Sequence, residues 1–422
     1  MNPGRFLLVA PLLCLLLATS ASASPGAPGA KPIFVYYMPW FAAKPFGTNW
    51  GWHWTMDHFD PDTRNAAGQR QIASWYYPLI GPYDSADPAV LEYHVLLMKL
   101  AGIDGVIVDW YGSTEDYDYG ANNRATARLF TFTRKAGLKF AICYEDQTVQ
   151  HLISSGHLSD SEAIRHTRQE MLYLQTNYFG DPSYFRINDQ PLLQNFGPRY
   201  FQSSSNWDEI FSVLAPSNYP ALFTEDNRLT AGLGAFDWPP MWMSQLPGTG
   251  GVLSGAALDN YLAAFEKRAQ AWPGFIASAF PRFHDIYQRA GVRNYWGYLG
   301  DHNGLTLRET LNRAITNASA LALIVTWNDF GEGTAVEPTT EYGFRDLGMI
   351  QALRGQSIDP QFPFHTNDLA LVVQFYQARR QATPGTLAAT HLDQAFADLV
   401  SGDIKAAEHH LSAAQAALGL AH

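Results

Sequence analysis

The chain has 422 residues, 47% of them hydrophobic and 14% aromatic, with a formal net charge of −11. That is a globular composition, long enough for one large domain with an appendage or for two domains. The acidic balance offers no basic patch for phosphates and argues against a nucleic-acid partner. The 12 Trp and 21 Tyr fill a core first, and they also tilt the reading toward carbohydrate, because these rings make flat platforms for the apolar faces of sugars.

At the N-terminus Arg5 precedes an apolar stretch, Phe6 to Ala18, which is too short to span a bilayer comfortably. Ala21-Ser22-Ala23 then places small residues before a cut. Residues 1–23 therefore read as a cleavable export signal, which makes the protein secreted or periplasmic, and SPGAPGAKP (24–32) reads as a linker. Export would leave Cys143 alone, so no internal disulfide is expected. No second membrane-spanning segment is expected.

Short apolar runs follow, separated by helical patterns. The expected strands are 33–37, 105–110, 139–144, 191–196, 221–224, 275–280 and 322–327. Helix-like stretches such as VLEYHVLLMKLAG and RATARLFTFTRKAG lie between them. In the first, Asp87 can cap, Pro88 can take the first helical position and Gly102 can end the helix. Strands alternating with helices over this length predict an α/β fold, a (β/α)8 TIM barrel over residues 33–360. No Gly-rich phosphate loop follows the first strand, against a dinucleotide fold. Residues 361–422 read as helices without strands, a C-terminal helical extension, docked as a cap.

The strands end in chemistry. Tyr36-Tyr37-Met38-Pro39-Trp40 follows the first, Asp109-Trp110-Tyr111 the second and Tyr144-Glu145-Asp146 the third. Glu225-Asp226, Arg282-Phe283-His284-Asp285 and Asn328-Asp329 follow later ones. A single acid after a strand is more often a cap or turn former. Several clusters at one rim point to a site at the barrel mouth. The last run continues as WNDFGEGTAVEP, with Asp329 and Glu332 three positions apart. Glycosidic bonds are usually cut by two carboxyl groups, about 5–5.5 Å apart for retention and about 6.5–9.5 Å for inversion, and this spacing permits either. Gly331 and Gly333 let substrate approach closely, and Trp327 and Phe330 lower the local dielectric. The plain alternative makes Asp329 a turn cap and Glu332 a solvated loop residue.

WNDFGEGTAVEP resembles the WNEW-x-EGT-x-IEP motif of glycoside hydrolase family 99, and its WND(Y/F)GE core is similar to the matching stretch of family 71. WYYPLIGPYDSADPAVLEYHVLLMKLAGIDGVIVDWYG resembles the family 99 pattern YP-x-x-G-x-YDS-x-D, H-x-x-x-M-x-x-AGIDG and a strand ending in a Trp pair. The YYMPWF opening matches as well, and the resemblance runs in order from about residue 33 to 348. It implies a glycoside hydrolase acting on an α-linked glycan, with no cofactor. It implies Glu332 as general acid/base and Asp329 as the residue acting on the 2-hydroxyl, where family 99 has Glu and retains configuration through a 1,2-anhydro sugar. Asp is one methylene shorter and agrees better with family 71, whose members cut α-1,3-glucan with inversion. A shift of about 1 Å in a positioned group can cost about 100-fold in rate, so stereochemistry and sugar stay open, as does a non-catalytic glycan binder.

Substrate-contacting candidates are Tyr37, Trp40, Asp109, Trp110, Glu145, Glu225, Trp327 and Asn328. Asp84 and Asp87 read as turn and cap residues. Trp50, Trp52 and Trp54 alternate as on one strand face and would wall a cleft. His53 and His58, near Asp57 and Asp60, and the His409-His410 pair show no metal-ligand spacing, so no metal is expected. The partner is a poly- or oligosaccharide.

Overall fold

The computed structural model describes residues 30–248, 251, 253 and 255–420. The export signal expected over 1–23 lies outside these residues, as does most of the 24–32 linker.

Eight parallel strands close on themselves: β1 (Ile33–Tyr37), β2 (Gly105–Trp110), β3 (Lys139–Tyr144), β4 (Gln190–Asn195), β5 (Ala221–Glu225), β6 (Gly234–Phe236), β7 (Gly274–Ala279) and β8 (Ala322–Ile324). β1 pairs with both β2 and β8, and β3 pairs with β4, which closes the ring. A two-residue strand, Arg186–Ile187, adds a short hairpin to β4. This is the expected (β/α)8 barrel, with one addition. The strand at Gly234–Phe236 carries too short an apolar run to register in the sequence. A Cβ at Gly234 would lie 2.0 Å from the Gly274 carbonyl oxygen, so only glycine lets these two strands pair. No helix separates β5 from β6. A tight loop does so, with Leu233 N donating to Leu222 O.

The helix expected between β1 and β2 forms as α1 (Pro88–Ala101). Asp87 accepts from Ala89 N at 3.0 Å, and Gly102 ends the helix at φ 81°. Asp84 is a turn former, accepting from Ala86 N and Ala43 N. After the barrel come α2 (Arg345–Ser357), α3 (Thr366–Arg379), α4 (Leu387–Ser401) and α5 (Ile404–Ala417). α3 and α4 lie against α1, where Arg379 bonds Glu92 at 2.8 Å and Arg380 bonds Asp87 at 2.5 Å.

Because the strands are parallel, all their carboxyl ends share one rim. Three long loops crown it: 38–87 after β1, 280–304 after β7 and 325–344 after β8. Trp52–Thr55 in the first of these is a helical turn rather than part of a strand, so the expected one-face alternation of Trp50, Trp52 and Trp54 does not occur. Trp54 is fully buried against Phe41, while Trp52 is exposed.

Candidate active site

Strand register decides which side chains reach the mouth. Residues paired across a parallel sheet share a face, and neighbours along a strand take opposite faces. Asp109 pairs with Cys143 and Cys143 with Gln194. Tyr36 OH donates to Asp109 Oδ1 at 2.8 Å, which puts Tyr36 on the same inner face. Two residues beyond Cys143 on that face comes Glu145, and Glu225 ends β5 with its carboxylate paired to Arg199 at 2.6 Å. The two pocket residues expected next door therefore turn outward. Tyr37 contacts His94 of α1, its hydroxyl 2.9 Å from Nδ1. Trp110 donates to Asn123 Oδ1 at 3.0 Å and stacks on Tyr173 in the helical layer. Tyr36 and Tyr111 take the places at the mouth that the sequence reading gave to Tyr37 and Trp110.

The last loop brings Asp329 and Glu332 to the same mouth. It folds back on itself: Thr326 N donates to Thr334 O, Val336 N to Thr326 O and Glu337 N to Trp327 O. Strand β8 stops at Ile324, yet Trp327 N still reaches Tyr36 O at 2.7 Å, so the loop stays tied to β1. Gly333 sits at φ 69°, and a Cβ there would come 2.5 Å from the His284 carbonyl oxygen. Glycine is therefore required both by the backbone conformation and by the close approach. Asp329 Oδ1 accepts from Glu332 N at 2.9 Å, while Asp329 N donates to Thr326 Oγ1 at 2.8 Å. Asp329 thus caps the turn, and it also stands at the mouth beside Asp109.

Burial dominates the electrostatics. It pushes Asp329 up to about 7, against the pull of the Glu332 and Gly331 N–H groups. It pushes Asp109 up to about 7 against hydrogen bonds from Tyr36 and Tyr111, and the Asp329 charge adds to the rise. Glu332 is driven well above the ordinary carboxyl range by burial and then by Asp329, with Arg293 opposing. Its Oε2 is buried and has no hydrogen-bond partner. Glu145 is raised by burial and then by Asp109, and Glu225 goes to about 7, held back by Arg199. A protonated, unpaired carboxyl beside ionisable ones is the state a general acid needs.

Behind the loop lies a network that the sequence reading did not pick out. Asn328 Nδ2 donates to Met38 O and to Tyr83 OH, and Asn328 Oδ1 accepts from Met38 N at 2.8 Å. Tyr83 OH donates to Glu337 Oε2 at 2.7 Å, and His94 Nε2 stands 3.2 Å from Glu337 Oε1. Asn328, His94 and the Glu337 side chain are completely buried, and both side-chain polar atoms of Asn328 are taken up in clamping the loop to Met38 and Tyr83. Trp327 is likewise buried, packed on His94. His94 falls inside the quoted H-x-x-x-M stretch and Glu337 inside AVEP, which was the available signal. From the other side Arg282 pairs with Asp346 and donates to Ala335 O at 3.0 Å. His284, with Tyr76 OH 3.2 Å from its Nδ1, and Tyr287, beside Glu332 and Asp329, complete the wall. Trp40 does reach the rim, stacked on His53 and 6.2 Å from Tyr111. Among the described residues no three His, Cys, Asp or Glu side chains are placed to hold a metal ion.

A model of glycosyl hydrolase family 99 matches residues 30–221. The glycoprotein endo-α-1,2-mannosidase of Mus musculus is 22% identical over 332 residues, covering 72% of this chain and 67% of its own length. A glycoprotein endo-α-1,2-mannosidase-like protein of Danio rerio is 22% identical, covering 72% and 70%. Among solved structures, the GH99 endo-α-mannosidase from Bacteroides thetaiotaomicron matches with a TM-score of 0.55 at 17% identity, covering 83% of this chain and 98% of that one. A glycoside hydrolase-like protein matches with a TM-score of 0.56 at 13% identity, covering 80% and 97%. The loop with Asp329 and Glu332 lies beyond the segment the family model matches.

Proposed function

We propose that this chain, a glycoside hydrolase of the family 99-like group, cleaves α-mannosidic bonds within a neutral glycan. Glu332 is the general acid, protonating the leaving oxygen, and the observation that supports it is its buried, unpartnered Oε2 at the barrel mouth beside Asp329. Asp329 is the second carboxylate. One of its oxygens holds the loop, which leaves the other for the sugar 2-hydroxyl or for a water. Asp109, Glu145 and Glu225 line the same mouth and hydrogen-bond sugar hydroxyls. The α-mannan preference rests on what the mannosidase relatives are named for, and export rests on residues 1–23. No helix among the described residues is long and apolar enough to cross a membrane. The helices from Thr366 on serve as a cap that braces α1.

The test is to incubate residues 25–422 with α-mannans and α-1,3-glucans while NMR follows the anomeric proton of the first product. Initial α product from mannan supports substrate assistance by Asp329 at the 2-hydroxyl. Initial β product makes Asp329 a water-activating base. Cleavage of glucan alone overturns the mannan reading.

A further inference from the structure

Beside the mouth, between the long first loop and the segment that follows β2, lies a cavity of about 770 Å³. Its size falls within the range of about 300–1,000 Å³ usual for small-molecule sites. None of the residues proposed for catalysis lines it. Three of the chain's exposed large apolar side chains do: Phe46, Trp52 and Tyr117. Tyr117 is 62% exposed and sits at φ 49°, a left-handed conformation that is costly for a bulky residue. An exposed aromatic in a strained backbone adds nothing to the core, so its conformation points to a role at the surface.

Asn122 is 3% exposed, and its side chain hydrogen-bonds the Asp118 carboxylate, which stands at the cavity edge. Arg124 and Arg128 balance Asp84 and Asp118 in sign, so the lining carries no excess charge for an ionic ligand. Aromatic faces, carboxylate acceptors and no net charge together suit a neutral hexose. The cavity neighbours the mouth through Trp40. Trp40 lines it, stacks on His53 with ring centres 4.0 Å apart, and stands 6.2 Å from Tyr111, which bonds Asp109.

We infer that this cavity is a distal binding site for further hexose units of the glycan being cut, with Trp52 and Tyr117 as stacking platforms and Asp118 as a hydroxyl acceptor. The inference rests on the glycosidase reading of the mouth, since its occupant is the same chain. It makes the enzyme prefer long substrates, because units beyond the cleaved bond gain contacts that a disaccharide lacks.

The experiment compares α-linked mannooligosaccharides of two and five units on residues 25–422 and on Trp52→Ala, Tyr117→Ala and the double variant. Both side chains are exposed, so folding is retained, and thermal melting checks it. KM for the five-unit chain rises about threefold in each single variant and about tenfold in the double one, as expected when stacking faces are lost. KM for the two-unit chain and kcat for both stay unchanged. Equal changes on both lengths, or none on either, overturn the inference. Calorimetric titration of the five-unit chain into Glu332→Gln, with and without Trp52→Ala and Tyr117→Ala, separates the two readings. If the parent protein cuts no mannan but binds the long chain through these aromatics, the mannosidase reading fails and the distal site stands. If binding is the same with and without them, the distal site fails, whatever the parent cuts.

Discussion

Asn328 and Glu332 belong to one loop and end in opposite situations. At the inner end both side-chain polar atoms of Asn328 are engaged, by Met38 and Tyr83, and Glu337 and His94 extend the network to α1. At the outer end Glu332 keeps a buried oxygen with no partner. The back of the loop is tied to distant parts of the chain by side-chain bonds, and the front offers a carboxyl oxygen that no side chain engages. A site of this kind separates the groups that fix geometry from the groups that do chemistry.

The sharpest way to break the comparison is at the front. Glu332→Gln keeps shape and removes the proton, so kcat falls by about 100- to 10,000-fold while the melting temperature holds. Steady-state kinetics on the cleaved glycan and a melting curve check it together. If the front and back are separate devices, Glu337→Ala does the reverse. It leaves His94 and Tyr83 without their buried partner and lowers stability by about 3–5 kcal/mol, read by urea denaturation.

A third test uses pH. Asp109 and Asp329 are raised to about 7 in the folded chain, above their unfolded value near 3.8. A raised acid binds more protons folded than unfolded, so its contribution is fully present at low pH and is lost as pH rises from about 4 to 7. Asp109→Asn cannot titrate, and it flattens this part of the stability–pH curve. An unchanged slope in urea midpoints taken from pH 4 to 8 counts against a strained front. The smallest effect lies far from both ends. Arg379→Ala at the α1–α3 contact costs about 1 kcal/mol or less, with kcat unchanged, because that ion pair is only partly buried.

The barrel was legible because seven of its strands are apolar runs bounded by polar clusters, and the Asp87, Pro88 and Gly102 signals fixed α1 to the residue. The eighth strand was not legible, because Gly234-Ala235-Phe236 is defined by how near Gly274 lies and not by its own hydrophobicity. The carboxylates at the strand ends could be found from sequence, since any parallel barrel gathers them at one rim. Which aromatic belonged with them could not. Tyr36 and Tyr37 are equally good candidates until register shows that Asp109 shares a face with the first. His94 and Glu337 were hidden for another reason: a histidine on an apolar helix face and an acid before a proline gain a role only when the fold brings them together.

The back of the loop joins residues very distant along the chain. Met38 and Asn328 are 290 positions apart, and Tyr83 and Glu337 are 254 apart. During synthesis β1 and α1 emerge first, and Met38, Tyr83 and the Nε2 side of His94 meet their partners on the last loop only when nearly the whole barrel has been made. A nascent chain stopped before Glu337 holds all eight strands, Asp329 and Glu332, yet lacks the carboxylate that Tyr83 and His94 meet behind the loop.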